Sequence, residues 1–154
     1  MKKLFYTLAL VLGFAISSYA QDYDHAIGLR LGYPLSVSYK KYLNSNKALE
    51  IYGGFRGNTF YTSLYANAAL QFHNPIEDVD NLTWYYGFGG GVAFASASGY
   101  GGASIGASGY LGLQYTLEDT PVSFSIDFVP TIYFGGFISG FGGFGALAAR
   151  YVLN

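Results

Sequence analysis

Large apolar residues alternate with small or polar residues along most of the chain. The segment Val122–Phe128 is the clearest case, because valine, isoleucine and two phenylalanines alternate there with two serines and an aspartate. Such a period of two is typical of β-strands whose two faces meet different surroundings. The same period recurs in eight segments, which lie at residues 27–31, 36–40, 49–51, 63–71, 84–94, 110–115, 122–128 and 146–153.

Turn-forming residues separate the eight segments. They lie at residues 33–34, 44–47, 57–58, 73–81, 96–104, 118–121 and 135–143. A strand that crosses an outer membrane needs about 9–11 residues, so eight strands leave enough of the chain for seven short connections. The pattern therefore predicts an all-β fold, an eight-stranded antiparallel up-and-down transmembrane β-barrel. Pro130 has no backbone N–H to donate, and it predicts a bulge or a strand end inside the seventh segment.

The composition indicates which face of this barrel meets water. Only 11% of the residues are charged, and the polar face consists mostly of Gly, Ser, Ala, Asn, Gln and Tyr. A water-facing surface normally carries about a quarter or more of charged residues. We therefore expect the larger apolar face to meet lipid and the smaller polar face to fill a narrow lumen. The alternative is a soluble secreted barrel or sandwich, which would dissolve without detergent.

A small set of charged residues falls on the polar face, each on a different strand. The set is Arg30, Lys40, Glu50, Asp127 and Arg150. Burying these side chains unpaired would be costly, so we expect them to form a hydrogen-bonded ion-pair network. With Tyr65, Tyr85 and Tyr110 this network would plug the lumen, since an eight-stranded barrel is only just wide enough for its side chains. The alternative is a narrow path for small solutes or ions.

The first residues have the organisation of a secretory signal peptide. Met1-Lys2-Lys3 is positively charged, and residues 4–16 form an uncharged apolar run. Ser18 and Ala20 occupy the −3 and −1 positions of a cleavage site. The sequence thus predicts a signal peptide over residues 1–20, cleaved after Ala20, and a barrel over residues 21–154. An N-terminal membrane helix is the alternative, for which the apolar run is short.

The residues give little support for chemistry or for nucleic-acid binding. The absence of cysteine excludes a disulfide scaffold and a thiolate metal site, and a net charge of −1 gives no basic footprint for nucleic acid. The two histidines, His25 and His73, lack the spacing of a metal site and a serine partner in sequence, and strand parity places both at the periplasmic rim. We expect no catalytic residue, no metal and no cofactor. An outer-membrane lipid-modifying enzyme is a third possibility, which replacement of both histidines would test.

The chain resembles the small eight-stranded outer-membrane barrels of the OmpA/OmpX type. More narrowly, it is similar to the porin-like barrel proteins of Bacteroidota, on the strength of His25-Ala26-Ile27-Gly28-Leu29-Arg30-Leu31-Gly32 and of Lys40-Lys41 in the second strand. The resemblance implies a non-enzymatic protein of a Gram-negative outer membrane with both termini in the periplasm. Its implied partners are membrane lipid and, during biogenesis, the barrel-insertion machinery. No specific ligand or protein partner follows from it.

Overall fold

The computed structural model of the protein describes residues 24–32, 34–136, 138–143 and 145–153. The predicted signal peptide, residues 1–20 with its cleavage site after Ala20, lies outside the described residues. Within them the secondary structure is all β. The ten strand segments are β1 (His25–Gly32), β2 (Leu35–Asn44), β3 (Lys47–Gly57), β4 (Tyr61–Pro75), β5 (Leu82–Ala97), β6 (Tyr100–Thr116), β7 (Val122–Phe128), β8 (Thr131–Phe134), β9 (Gly140–Gly142) and β10 (Gly145–Leu153).

These segments form one closed antiparallel barrel of eight strands. Each of β1 to β6 pairs with its neighbours in sequence, and β10 closes the barrel by pairing with β1. β7 and β8 are two parts of the seventh strand, because both pair with β6, and β9 and β10 are two parts of the eighth. The predicted fold class is confirmed. In the described part of the chain, no helix is long and apolar enough to cross a membrane.

The break in the seventh strand falls where Pro130 was expected to cause one. β7 ends at Phe128 and β8 begins at Thr131, so the proline occupies the gap between them. Its carbonyl still accepts a hydrogen bond from the N–H of Gly109, at 3.0 Å. The prediction of a bulge or strand end is confirmed, and the neighbouring strand keeps its contact across the gap.

Three of the predicted connections are shorter than the composition suggested. The stretch 96–104 is nearly all strand, because β5 and β6 pair up to Ala97 and Tyr100 and only Ser98 and Gly99 form the turn. His73 belongs to β4, which continues to Pro75. The stretch 135–143 contains β9. Those three predictions gave too long a connection. In 96–104 and 135–143 the reason is that glycine and serine support strand pairing and not only turns, and in 73–81 the first residues continue the pairing of β4 with β5.

The alternation of faces matches the predicted parity. Apolar side chains on the outside are exposed, as with Leu29, Phe88 and Leu111, at 54%, 62% and 55%. Their neighbours in sequence point inward and are half-buried, as with Gly87 and Gly89, or buried, as with Arg30 and Tyr110. The two ends of the barrel differ: β1 begins and β10 ends at one of them, here called the terminal rim, and the β1–β2 and β5–β6 turns lie at the other, here called the far rim. Both His25 and His73 lie at the terminal rim.

Candidate functional site

Strand parity and glycine spacing together create room for large charged side chains inside the barrel. Antiparallel register sets Gly28 opposite Arg150 and Gly112 opposite Asp127. A Cβ on Gly112 would lie 2.7 Å from the Cβ of Asp127, and a Cβ on Gly28 would collide with the backbone of β10. The inward glycines therefore make space that the charged side chains fill.

The structure brings the five predicted lumen residues together, and Glu50 lies at their centre. Its carboxylate accepts hydrogen bonds from the guanidinium groups of Arg150 and, at 3.4 Å, Arg30. The ammonium group of Lys40 lies 4.0 Å away. Glu50, Lys40 and Arg150 are each at most 1% exposed. One carboxylate is thus shared by three cations in a space that water does not reach.

Asp127 is the second carboxylate of the network. It accepts a hydrogen bond from Nη2 of Arg30 at 2.7 Å and one from the hydroxyl of Tyr85 at 2.6 Å. Arg30 therefore bridges the two carboxylates, which come from strands on opposite sides of β1. Buried ion pairs of this kind are expensive to desolvate, and they are maintained only where their remaining donors and acceptors are satisfied.

Neutral side chains that the sequence interpretation did not single out supply those remaining contacts. Ser38 donates to Glu50 at 2.7 Å and accepts from Nε of Arg150 at 2.9 Å. Gln71 donates to Glu50 at 2.6 Å. Ser125 accepts from Arg150 at 2.8 Å, and Gln114 accepts from Lys40 at 3.0 Å. Their common signal in the sequence is a polar residue at an inward position. Parity identifies such a residue as facing the lumen but not as a partner of a particular charge.

The tyrosines close the remaining space, each in a different way. The ring of Tyr85 lies under the Lys40 ammonium at 4.8 Å, a cation–π contact in addition to its bond to Asp127. Tyr110 hydrogen-bonds the hydroxyl of Tyr52 at 2.7 Å, and the Tyr52 ring lies 4.7 Å from the Arg30 guanidinium. Tyr65 lies nearer the far rim and is also buried. Charged, amide, hydroxyl and aromatic groups thus fill the cross-section of the lumen at this level.

The two histidines do not have the surroundings of a catalytic base. Nδ1 of His25 shares a hydrogen bond of 2.6 Å with the hydroxyl of Tyr39. His73 stacks on Tyr85, with 4.8 Å between ring centroids, and its Nδ1 lies 3.4 Å from Oγ1 of Thr83. Both partners are hydroxyls, and among the described residues neither ring contacts the orienting carboxylate that a nucleophilic triad needs on its second ring nitrogen. Within the described residues, no group of three or more His, Asp or Glu side chains could hold a metal ion.

The described residues thus form a small closed eight-stranded antiparallel β-barrel with an ion-pair network buried in its lumen. Among solved structures, the chain is similar to Neisserial surface protein A (NspA), with a TM-score of 0.60 over 84% of this chain and 93% of that one. The two sequences are 13% identical, so the likeness is one of fold. No protein-family model and no curated protein matches the sequence.

Proposed function

We propose that the protein is a non-enzymatic integral protein of a Gram-negative outer membrane, with a structural or interaction role in the envelope and a lumen closed by its own side chains. The terminal rim would face the periplasm. The outer surface supports the membrane location. Large apolar side chains are exposed on all sides of the barrel, for example Leu31, Ile51, Phe94 and Ile126 at 57%, 49%, 50% and 55%. A continuous apolar band around a closed barrel is what a bilayer accommodates, because each of the eight strands pairs with a neighbour on both sides.

The observation that carries the closed lumen is the continuous network around Glu50 and Asp127. It connects β1, β2, β3, β7 and β10 across the interior, and Gln71 and Gln114 extend it to β4 and β6. An ion that passed this level would have to break several charge-assisted hydrogen bonds at once. Such bonds are about twice as strong as neutral ones. The interior is therefore built as a packed core and not as a pore.

Conductance through a planar lipid bilayer tests the closed lumen. The purified wild-type barrel should give no channel of nanosiemens size, after a heated and unheated gel has shown that the sample is a folded barrel. The double variant Glu50→Ser/Arg150→Ser removes the centre of the network and should conduct, provided that it shows the same heat-dependent shift. Glu77→Ser, in the exposed β4–β5 turn, is the matched control and should show no such conductance. Wild-type conductance of nanosiemens size would overturn the proposal and favour the porin-like alternative.

A further inference from the structure

The barrel wall is lower on one side of the far rim than on the other. β1 and β2 have 8 and 10 residues, whereas β4, β5 and β6 have 15, 16 and 17. The strand ends at the terminal rim are joined by short turns, so the additional residues stand at the far rim. With about 3.3 Å per residue and a strand tilt of about 40°, the β5–β6 turn stands roughly 15–20 Å above the β1–β2 turn.

This difference leaves a gap in the wall above β1 and β2, here called the notch. On one side of it β3 continues to Gly57, while its pairing with β2 ends at Phe55. On the other side β9 pairs with β8, while the pairing of β1 with β10 ends at Gly32. Among the described residues, no strand connects these two edges.

The notch lies at the height of the apolar band. Leu35, Phe55 and Phe141 flank it on the outside and are 56%, 61% and 64% exposed. Hydrocarbon chains would therefore reach both of its edges. An open sheet edge is tolerated at that depth only where it lines a polar or water-filled cavity.

A small polar cavity lies directly behind the notch. Its volume is about 40 Å³, and the polar side chains that line it include Arg30, Ser36, Tyr52, Asn67, Thr131 and Tyr133. One water molecule needs about 10–15 Å³ of such space, so the cavity has room for a group of two or three heavy atoms.

The charge around the cavity favours an anion. The network contains three cations, Arg30, Lys40 and Arg150, against the two carboxylates Glu50 and Asp127. Arg30 is the cation of the network that borders the cavity. A guanidinium has five N–H donors arranged to match a carboxylate, and its contacts with Glu50 and Asp127 use two of its nitrogens. No carboxylate is among the described residues that line the cavity, so an anion there would meet the Arg30 guanidinium and no like charge.

We propose that this cavity binds the carboxylate of a long-chain fatty acid, which enters sideways from the membrane through the notch. The carboxylate lies beside Arg30 and Asn67, and the apolar chain leaves the barrel between Phe55 and Phe141. This inference depends on the membrane location proposed above. Binding does not require the lumen to open, because the cavity lies between the network and the far rim.

Spin-labelled lipids test the proposal on the whole barrel in nanodiscs, using only preparations that show the heat-dependent gel shift. The probes are nitroxide-labelled stearic acid, at a pH where it is ionised, and its neutral methyl ester. Electron spin resonance should show an immobilised fraction several-fold larger for the acid than for the ester. Asn67→Leu fills the cavity and should abolish this difference. Thr83→Leu, a change of similar size inside the terminal rim, should leave it intact.

The alternative outcomes overturn the proposal in distinguishable ways. Equal immobilisation of acid and ester in the wild-type barrel would show ordinary boundary lipid and no carboxylate site. A difference that persists in Asn67→Leu would place the selectivity elsewhere on the surface. Displacement of the labelled acid by excess butyrate would indicate a site for small carboxylates taken from water. A preparation without a heat shift would instead contradict the membrane barrel itself.

Discussion

Glu50 is the side chain on which the buried network depends most, because it contacts Arg30, Arg150, Ser38 and Gln71 directly. Glu50→Gln would leave three buried cations with a single carboxylate. Breaking a buried pair by removing one partner typically costs about 3–5 kcal/mol. We expect the free energy of unfolding in lipid vesicles to fall by about that amount, measured by urea titration. Glu77→Gln, in an exposed turn, should change it by less than about 0.5 kcal/mol. A Glu50→Gln barrel as stable as wild type would mean that the network contributes nothing to folding.

The second prediction at the scale of single residues concerns the glycines at inward positions. A Cβ on Gly89 would lie 2.8 Å from the Cα of Ala69 and 2.3 Å from the carbonyl oxygen of Ala68, both of which belong to the neighbouring strand β4. Gly89→Ala should therefore lower the free energy of unfolding by about 1–3 kcal/mol, as overpacking does. At Gly109, which lies on the outward face of β6 opposite Phe88, a Cβ would meet only the Pro130 ring, at 3.7 Å, so Gly109→Ala is the control for a glycine with space around it. Equal losses in the two variants would show that flexibility, and not space, governs these positions.

The sequence predicted the charged members of the site but not their neutral partners. Arg30 and Glu50 are conspicuous because a charge on the small-residue face of a strand demands a partner. Ser38, Gln71 and Gln114 are ordinary residues for that face, so nothing local distinguishes them. Their role depends on which strands meet across the lumen, which follows from closure of the barrel and not from any one segment.

At the scale of elements, the β5–β6 hairpin remains paired where the residue pattern does not predict strands. The composition of residues 96–104, which are mostly Gly, Ser and Ala, predicts a loop at the end of this hairpin. Yet Ser96 pairs with Gly101 and Ala95 with Gly102, in unbroken antiparallel register. Small side chains are favoured where neighbouring backbones approach closely, and the closed sheet supplies the pairing that weak local preference does not.

The turn of this hairpin provides the prediction for the element. Ser98 and Gly99 have φ of 50° and 84°, as a two-residue hairpin turn with both central residues left-handed requires. Gly99→Ala should cost about 1–2 kcal/mol, because a Cβ disfavours that conformation. Ser98→Gly relieves the same constraint and should not destabilise the barrel. Urea titration of both variants is the measurement. If Gly99→Ala is as stable as wild type, the turn has another conformation.

At the scale of the whole molecule, the sequence was enough to predict a closed barrel and to predict which face of each strand points outward. Both predictions follow from a period of two that is sustained over eight segments. The sequence did not predict the uneven height of the wall. That feature depends on how far each pair of strands remains paired toward the far rim, and the alternation of residues does not mark where the pairing of β1 with β2 stops and that of β5 with β6 continues. The notch and its cavity are consequences of pairing length, so they required the structure.

The chain contains one tryptophan, and this allows the depth of the barrel in a bilayer to be measured directly. Trp84, Phe88 and Phe94 all point outward from β5 and are 39%, 62% and 50% exposed. Ten residues along a tilted strand rise roughly 25 Å, about the height of the apolar band of an outer-membrane barrel. Trp84 and Phe94 should therefore lie near opposite interfaces, and Phe88 near the middle of the membrane.

Fluorescence quenching by lipids brominated at defined depths tests this arrangement. Wild type reports on position 84, and the variants Trp84→Phe/Phe88→Trp and Trp84→Phe/Phe94→Trp report on the other two. Lipids brominated near the ends of the acyl chains should quench position 88 most strongly. Lipids brominated near the head group should quench the fluorescence from positions 84 and 94 most strongly. Emission at long wavelength from all three positions, with no quenching by any brominated lipid, would mean that the apolar face meets water or protein, and the membrane location would fall with it.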